Sequence, residues 1–196
     1  MDELALLQGA VRLAASGETS DFDLNPAAAL PPDRKLRPAA VLIAFQPGRG
    51  VWLTKRSSHL KHHPGQIAFP GGKLDPTDAS LEAAALRETT EEIGLPAECV
   101  HILGTLPPHE TVTGFRVTPF VGHVHRDFTT RPEAGEVDEA FVVPLHHLLN
   151  PGNYLIQSRL WQGQLRRYYT VPWGPYYIWG ATARMLYGLA SRVPAS

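Results

Sequence analysis

The sequence predicts an α+β fold, because helical and strand-like patterns occur together in one chain, separated by turn signals. The chain has 196 residues, of which 43% are hydrophobic and 19% are charged, so it can bury a sizeable core. Two observations carry the prediction: a well-delimited helix that ends before Gly94, and apolar or β-branched runs on both sides of it. We expect an N-terminal helix and Pro-rich connector over residues 1–37, and one domain over residues 38–196.

The N-terminal half begins with a short amphipathic helix, predicted from Asp2 to Ala15, and the connector after it shows no periodicity. The domain is expected to begin near Pro38. A continuous apolar run at 39–45 suits a buried strand, and a second strand is predicted to return at 51–56.

The C-terminal half predicts three more strands, in the segments CVHILGTL, VTGFRVTPFVGHVH and EAFVVPL. The segment HHLLN predicts a short turn of helix that Pro151 stops. A hairpin is predicted in NYLIQSRLWQGQLRRYYTV, with Gly163 at its turn.

Bulk properties exclude several functions. The net charge is −1 and no long basic run is present, which argues against a general binder of nucleic acid or of membrane surfaces. No segment reaches the roughly 20 apolar residues of a transmembrane helix, and the start has no pattern of a targeting signal. A single cysteine, Cys99, excludes an internal disulfide and fits a reducing cytoplasm. We therefore expect a cytoplasmic protein whose partner is a small molecule; the sequence does not predict its oligomeric state.

The central helix has clear boundaries. Ser80 or Asp78 can cap its start, and Gly94 ends it. Helical spacing predicts one packing stripe, formed by Ala83, Leu86, Thr90 and Ile93. Three glutamates are predicted on the opposite side, within roughly a 100° arc: Glu88, Glu91 and Glu92.

This acidic face is unfavourable without a ligand, because like charges three or four residues apart cost about 0.2–0.5 kcal/mol per pair. A hard cation such as Mg²⁺ or Mn²⁺ takes carboxylate oxygens and would reverse the effect. Arg87 precedes Glu91 by four residues and could hold its carboxylate in place. The alternative is a solvated acidic face. The bend at Gly71 and Gly72, which brings backbone close to a ligand, favours the cation.

These residues resemble the Nudix box, a glycine loop followed by an Arg-Glu-x-x-Glu-Glu helix. Gly72 opens the match, which continues through Arg87-Glu88, Glu91-Glu92 and Gly94-Leu95. Three departures stand out: Asp78 replaces a glutamate, eight residues instead of seven precede Arg87, and Thr89 occupies a hydrophobic slot. Because of the extra residue, no metal-binding role is assigned to Asp78.

The resemblance implies a mixed β-sheet between helices, an α/β/α sandwich, and metal-dependent hydrolysis of a diphosphate bond by water. It implies that Glu88 and Glu92 bind Mg²⁺ or Mn²⁺, with Glu91 and the Gly72 carbonyl completing the set. The catalytic residues it implies are Glu91, Arg87 and Glu136. Glu136 lies in an acidic loop before a Val-Pro-Leu segment, where Glu133, Asp138 and Glu139 compete for the same role and a solvated loop is an equal alternative.

A second resemblance precedes the box. Residues 53–57, Gly65-Gln66 and 69–72 are similar to the signature of the coenzyme A pyrophosphatase branch, although Lys61 stands where arginine is usual. The residues it implies in substrate binding are Lys55, Arg56, Lys61, Gln66 and Gly71. Positive charge here, with His62 and His63, suits a substrate with further phosphates; the alternative is an ordinary solvated basic loop.

The branch also matches at the tail, where residues 178–183 read Ile-Trp-Gly-Ala-Thr-Ala. Nearby aromatic residues are expected either to pack in the core or to stack on a purine: Trp173, Tyr176, Tyr177 and Trp179. The implied substrate is coenzyme A or a derivative, and the implied products are 4′-phosphopantetheine and 3′,5′-ADP. Two alternatives remain: hydrolysis of another nucleoside diphosphate derivative, such as ADP-ribose or a dinucleotide, and a nucleotide sensor without turnover, which the intact acidic triplet disfavours.

Overall fold

The computed structural model describes residues 2–13, 17–26, 34–61, 63–161 and 163–193. His62, the predicted helix end at Ala15 and part of the Pro-rich connector lie outside these ranges. The helices are α1 (Glu3–Arg12), α2 (Leu81–Ile93), α3 (Leu145–Leu148) and α4 (Ala181–Ala190). The strands are β1 (Thr19–Ser20), β2 (Arg37–Gln46), β3 (Gly50–Arg56), β4 (Ile67–Ala68), β5 (Gly71–Lys73), β6 (Val100–Thr105), β7 (His109–Glu110), β8 (Phe115–Val124), β9 (Val137–Val143), β10 (Leu155–Trp161) and β11 (Gln164–Thr170).

The main sheet is mixed. Its centre is a parallel pair, β2 and β8, because residues 37–45 of β2 are in register with residues 115–123 of β8. The strands β3 and β5 pair antiparallel with β2, β9 and β4 pair antiparallel with β3, and β6 and β7 pair antiparallel with β8. The hairpin β10–β11 forms a separate two-stranded sheet, as predicted.

Helices cover both faces of the main sheet. On one side, Leu7 of α1, Leu145 of α3 and Leu186 of α4 belong to one buried cluster. On the other side, Ala84 and Ala85 of α2 belong to a second cluster. The predicted α/β/α sandwich is therefore confirmed, and the described part of the N-terminal segment packs against the domain. The division at residue 37 remains a prediction.

The packing stripe predicted for α2 is wrong by about one residue. The buried residues are Ala84, Ala85, Thr89, Glu92 and Ile93, whereas Thr90 is exposed. Alanines on α2 meet alanines of β2 in one cluster, and small side chains allow the helix to lie close to the sheet. Thr89 fits its apolar slot because its hydroxyl donates to the Ala85 carbonyl across 2.7 Å.

Two of the four aromatic residues of the tail pack against the core, and stacking on a purine stays a prediction for the other two. Trp173 and Tyr176 pack against the core, and the Tyr176 ring stacks on Phe141 with centroids 3.6 Å apart. Tyr177 is 41% exposed, and Trp179 contacts Tyr168 edge-on. None of the described helices has the length and apolar character needed to cross a membrane.

Candidate active site

The segment before α2 has two successive glycines with close neighbours, and the first of them must be glycine. A Cβ at Gly71 would lie 2.4 Å from the Ala40 carbonyl oxygen, and Gly71 has a φ of 149° that favours glycine. A Cβ at Gly72 would lie 2.4 Å from the Glu88 carboxylate carbon. The loop backbone therefore runs directly against the Glu88 carboxylate, as the predicted bend toward a ligand requires.

Glu92 is enclosed rather than exposed. Its relative exposure is 4%, and its Oε2 accepts a hydrogen bond from the Gly71 N–H across 3.1 Å. The prediction that all three glutamates lie opposite the packing side is wrong for Glu92, because the loop folds over the end of α2. The same contact occupies the Gly71 N–H, which therefore faces Glu92 rather than open solvent.

Burial makes the charge on Glu92 unfavourable and raises its pKa to about 8. The Gly71 N–H and Arg56 act in the opposite direction, while Glu88 and Glu136 raise the pKa further. Burial also raises the pKa of Glu88, against the lowering effect of Arg87. The two carboxylates thus lie in one region where negative charge is poorly compensated.

Arg87 organises the acidic helix. Its Nη1 donates to Glu91 across 2.9 Å, as predicted, and its Nη2 donates to Glu88 across 3.1 Å. It also binds Asp78 through two parallel bonds of 2.9 and 3.0 Å. These bonds hold the pKa of Asp78 below its usual range. Ser80, not Asp78, caps α2, and the extra residue of the loop places Asp78 as an anchor for Arg87.

The role of Asp78 in holding Arg87 was not predicted from the sequence. The available signal was its position upstream of Arg87, but Asp78 and Arg87 are nine residues apart, and helical spacing does not extend into the loop. The side chain of Asp78 is 4% exposed and that of Arg87 is 31% exposed, so the pair is partly buried. Such bidentate pairs are strong and geometrically specific.

The acidic loop before β9 is tied to the end of α2. The Glu133 N–H donates to the Glu92 carbonyl across 3.0 Å, and the Glu136 carbonyl accepts from the Ser57 N–H across 2.8 Å. Of the four competing acids, Glu136 is the one that raises the pKa of both Glu88 and Glu92. Asp138 instead accepts from the Ser58 N–H, and Glu139 accepts from the Tyr176 hydroxyl.

The donor set fits a divalent cation by its chemistry. Glu88 and Glu92 supply hard oxygen atoms, and a cation would favour the ionised forms that burial opposes. Glu91 differs from Glu88 and Glu92, because its side chain is 57% exposed and forms an ion pair with Arg87. Across the described ranges, no three acidic, histidine or cysteine side chains are already gathered tightly enough to hold an ion.

The basic segment, residues 55–66, approaches these carboxylates at Arg56. Arg56 is close enough to lower the pKa of Glu92. Two backbone bonds close the loop that follows it: Arg56 N–H to the Gln66 carbonyl, 2.9 Å, and Gly65 N–H to the Arg56 carbonyl, 3.0 Å. Lys55 lies on β3 between β4 and β9, and Lys61 is exposed in the loop.

The C-terminal motif supports the same segment. The Thr182 hydroxyl donates to the Ile67 carbonyl across 3.1 Å. A Cβ at Gly180 would lie 3.9 Å from Nε2 of Gln66. The segment at 178–183 therefore lies next to Gln66. The two parts of the sequence that resemble the coenzyme A pyrophosphatase branch are thus neighbours in the structure.

Comparisons with known proteins agree with the geometry. The sequence model of the NUDIX domain matches residues 35–162, which is more than half of the chain. The chain is 43% identical over 159 residues to the protein named "Uncharacterized Nudix hydrolase NudL" of Salmonella paratyphi B, covering 80% of this chain and 83% of that protein. The protein of the same name from Salmonella newport gives the same values.

Among solved structures, the MutT protein of Methanosarcina mazei Go1 is similar, with a TM-score of 0.49 and 24% identity, over 62% of this chain and 84% of that one. Nudix hydrolases act on nucleoside diphosphate derivatives and generally use divalent metal ions. The extent of the family match and the identity to NudL lead to one conclusion: the chain belongs to the Nudix hydrolase family.

Proposed function

We propose that this enzyme hydrolyses the diphosphate bond of coenzyme A or one of its derivatives and releases 4′-phosphopantetheine and 3′,5′-ADP. The observation that carries the proposal is the position of Arg56, next to Glu92 and at the base of a closed basic loop. A substrate with a third phosphate needs cationic side chains beyond those that act on the diphosphate. Lys55, Arg56 and Lys61 meet that need.

Glu88 and Glu92 would hold the divalent ion, Mg²⁺ or Mn²⁺, with the Gly72 carbonyl and Glu91 as further candidates. When bound, such an ion polarises phosphoryl oxygens and lowers the pKa of water. Arg87 fixes the carboxylates of Glu88 and Glu91 through its hydrogen bonds to both. Its bidentate bond to Asp78 keeps the guanidinium from turning away.

Glu136 would accept the proton of the attacking water. It is exposed to solvent, and its charge acts on both buried glutamates, so it faces the region where the diphosphate would bind. Glu91 is the alternative base, but its Oε2 already accepts a hydrogen bond from Nη1 of Arg87 across 2.9 Å. A carboxylate that is free of a cationic partner is the better proton acceptor.

The basic segment would contact the substrate from the diphosphate, near Arg56, to the phosphate remote from the reaction, near Lys61. Gln66 and the segment at 178–183 lie side by side, so the substrate can contact the loop and the tail together. Lys61 carries the positive charge of an arginine but lacks the planar guanidinium group. We therefore predict weaker phosphate binding than an arginine at this position would give.

The test is a substrate panel with Mg²⁺ or Mn²⁺: coenzyme A, acetyl coenzyme A, ADP-ribose and a dinucleotide, with products identified by mass. We expect the coenzyme A forms to have the highest kcat/KM, with cleavage within the diphosphate. A clear preference for ADP-ribose or the dinucleotide would assign another nucleoside diphosphate substrate. Nucleotide binding without turnover of any of them would indicate a sensor.

A further inference from the structure

A second concave surface lies between α4 and the connection from β6 to β7. It is a groove of about 280 Å³. Leu106 and Pro107 of the connection and Met185 of α4 give it an apolar wall. None of the residues that line it belongs to the glycine loop, to α2 or to the basic segment. The groove is therefore separate from the active site described above.

Arg192 lines this groove just beyond the end of α4. Its Nη1 atom is buried and has no hydrogen-bond partner, and it forms no ion pair with any carboxylate in the described part of the chain. Burial lowers the pKa of the guanidinium, as expected for a cation deprived of water. A guanidinium N–H that is shielded from water without an acceptor is unfavourable, and an anion in the groove would supply that acceptor.

Arg184 and Gly188 line the groove together with Arg192; Arg184 adds a second positive charge, and Gly188 leaves space. Arg184 is fixed by two bonds to Asp23 Oδ2, from Nε at 3.1 Å and from Nη2 at 2.8 Å. A Cβ added at Gly188 would lie 3.7 Å from Nη1 of Arg184. Apart from the backbone of α4 itself, it would have no other neighbour within 4 Å. Arg184, Gly188 and Arg192 all line the groove, and Gly188 leaves open space between the side chains there. Any larger side chain at Gly188 would occupy this space.

We propose that the groove is a second binding site, for a small molecule that carries a phosphate or carboxylate group and a short apolar chain. The anionic group would bind Arg192, and the apolar chain would lie against Leu106, Pro107 and Met185. The carbonyl end of α4 opposes an anion, but a charge-assisted hydrogen bond to a guanidinium is the stronger effect.

The experiment is an NMR titration of the full ¹⁵N-labelled chain without added metal, so that the acidic active site repels anions. The probes are inorganic phosphate, n-butyl phosphate, butyrate and n-butanol. We expect saturable shifts of the Gly188, Ser191 and Leu106 amides, with butyl phosphate binding more tightly than inorganic phosphate and butanol producing none. Shifts confined to Gly71 and Gly72, or an absence of shifts at the groove, would overturn the proposal.

Two variants locate the site. Arg192→Gln should weaken butyl phosphate binding by about tenfold or more, because it removes a charge-assisted hydrogen bond. Gly188→Leu should abolish binding by filling the groove. Arg126→Gln, at an exposed arginine elsewhere, is the matched control and should change nothing. Hydrolytic activity should be retained in all three, and equal affinity in Arg192→Gln and the unmodified chain would contradict the proposal even if Gly188→Leu failed to fold.

Discussion

The backbone N–H of Gly71 donates to Oε2 of Glu92 across 3.1 Å, which joins the glycine loop to the last turn of α2. The bond closes the loop over a carboxylate that is only 4% exposed. One neutral donor and the nearby Arg56 do not offset the burial, because the pKa of Glu92 is raised to about 8. The metal-free protein therefore holds an acid whose ionisation is unfavourable, which a cation would relieve.

The first prediction concerns the stability of the metal-free protein. Between pH 4.5 and about 8, folded Glu92 keeps a proton that the unfolded chain releases, so the free energy of unfolding should fall as pH rises. Each unit of pKa corresponds to about 1.4 kcal/mol, so the contribution should be on the order of a few kcal/mol. Urea unfolding in EDTA at pH 5 and pH 9 measures it.

Glu92→Gln should reduce this pH dependence to the smaller part that Glu88 contributes and should raise stability at pH 9, while lowering kcat by orders of magnitude. Glu82→Gln, at an exposed position on the first turn of α2, is the control and should keep the slope of the unmodified chain. An unchanged slope in Glu92→Gln would show that another group titrates.

The second prediction concerns the space beside Gly72. Gly72 does not have a positive φ, so alanine suits its backbone, but the new Cβ would meet the Glu88 carboxylate at 2.4 Å. Gly72→Ala should displace that carboxylate and weaken Mn²⁺ binding and turnover together. Calorimetry with Mn²⁺ measures the first effect. Gly9→Ala in α1, which has no neighbour within 4 Å, should leave both unchanged. Normal Mn²⁺ affinity in Gly72→Ala would exclude Glu88 from the site.

The third prediction concerns the Asp78–Arg87 pair. Asp78→Asn should lower kcat by roughly 10- to 100-fold, the usual effect of losing a residue that orients a metal ligand. Asp75→Asn is the matched control, because Asp75 binds Thr77 rather than Arg87. If a higher Mn²⁺ concentration fully restored the activity of Asp78→Asn, the pair would affect only metal affinity. Equal kcat values in Asp78→Asn and Asp75→Asn would contradict the anchoring role of Asp78.

The fourth prediction separates four acids: Glu133 and Glu136 in the loop before β9, and Asp138 and Glu139 on β9 itself. Glu136→Gln should lower kcat by about 10²- to 10⁴-fold, as expected for a general base, and should remove the acidic limb of the pH–rate profile. Glu133→Gln, Asp138→Asn and Glu139→Gln should have much smaller effects. If none of the four variants lowered kcat appreciably, these acids would be excluded from the chemistry and Glu91 would remain as the base.

The sequence predicted the fold well because its strands have unambiguous apolar or alternating patterns, and because Ser80 and Gly94 delimit α2 by local chemistry. It failed where tertiary contacts decide. The burial of Glu92 depends on a loop that begins more than 20 residues earlier, at Gly71. The Asp78–Arg87 pair likewise forms between a loop and a helix, beyond the reach of helical periodicity.

The substrate-binding role proposed for the basic segment could be predicted only by resemblance, because its cations have no periodic arrangement. In the structure, two backbone bonds close the loop after Arg56. A closed loop holds cations near one another at a lower entropic cost than an open one. This supports Arg56 and Lys61 as the residues to vary.

The ratio of kcat/KM for coenzyme A to that for 3′-dephospho-coenzyme A tests the central claim most directly. A charge-assisted hydrogen bond contributes about 1.5–3 kcal/mol, so the ratio should be roughly 10- to 150-fold. Arg56→Ala and Lys61→Ala should reduce it, Lys61→Arg should increase it, and Arg126→Ala should leave it unchanged. Equal kcat/KM values for the two substrates in the unmodified enzyme would contradict the account.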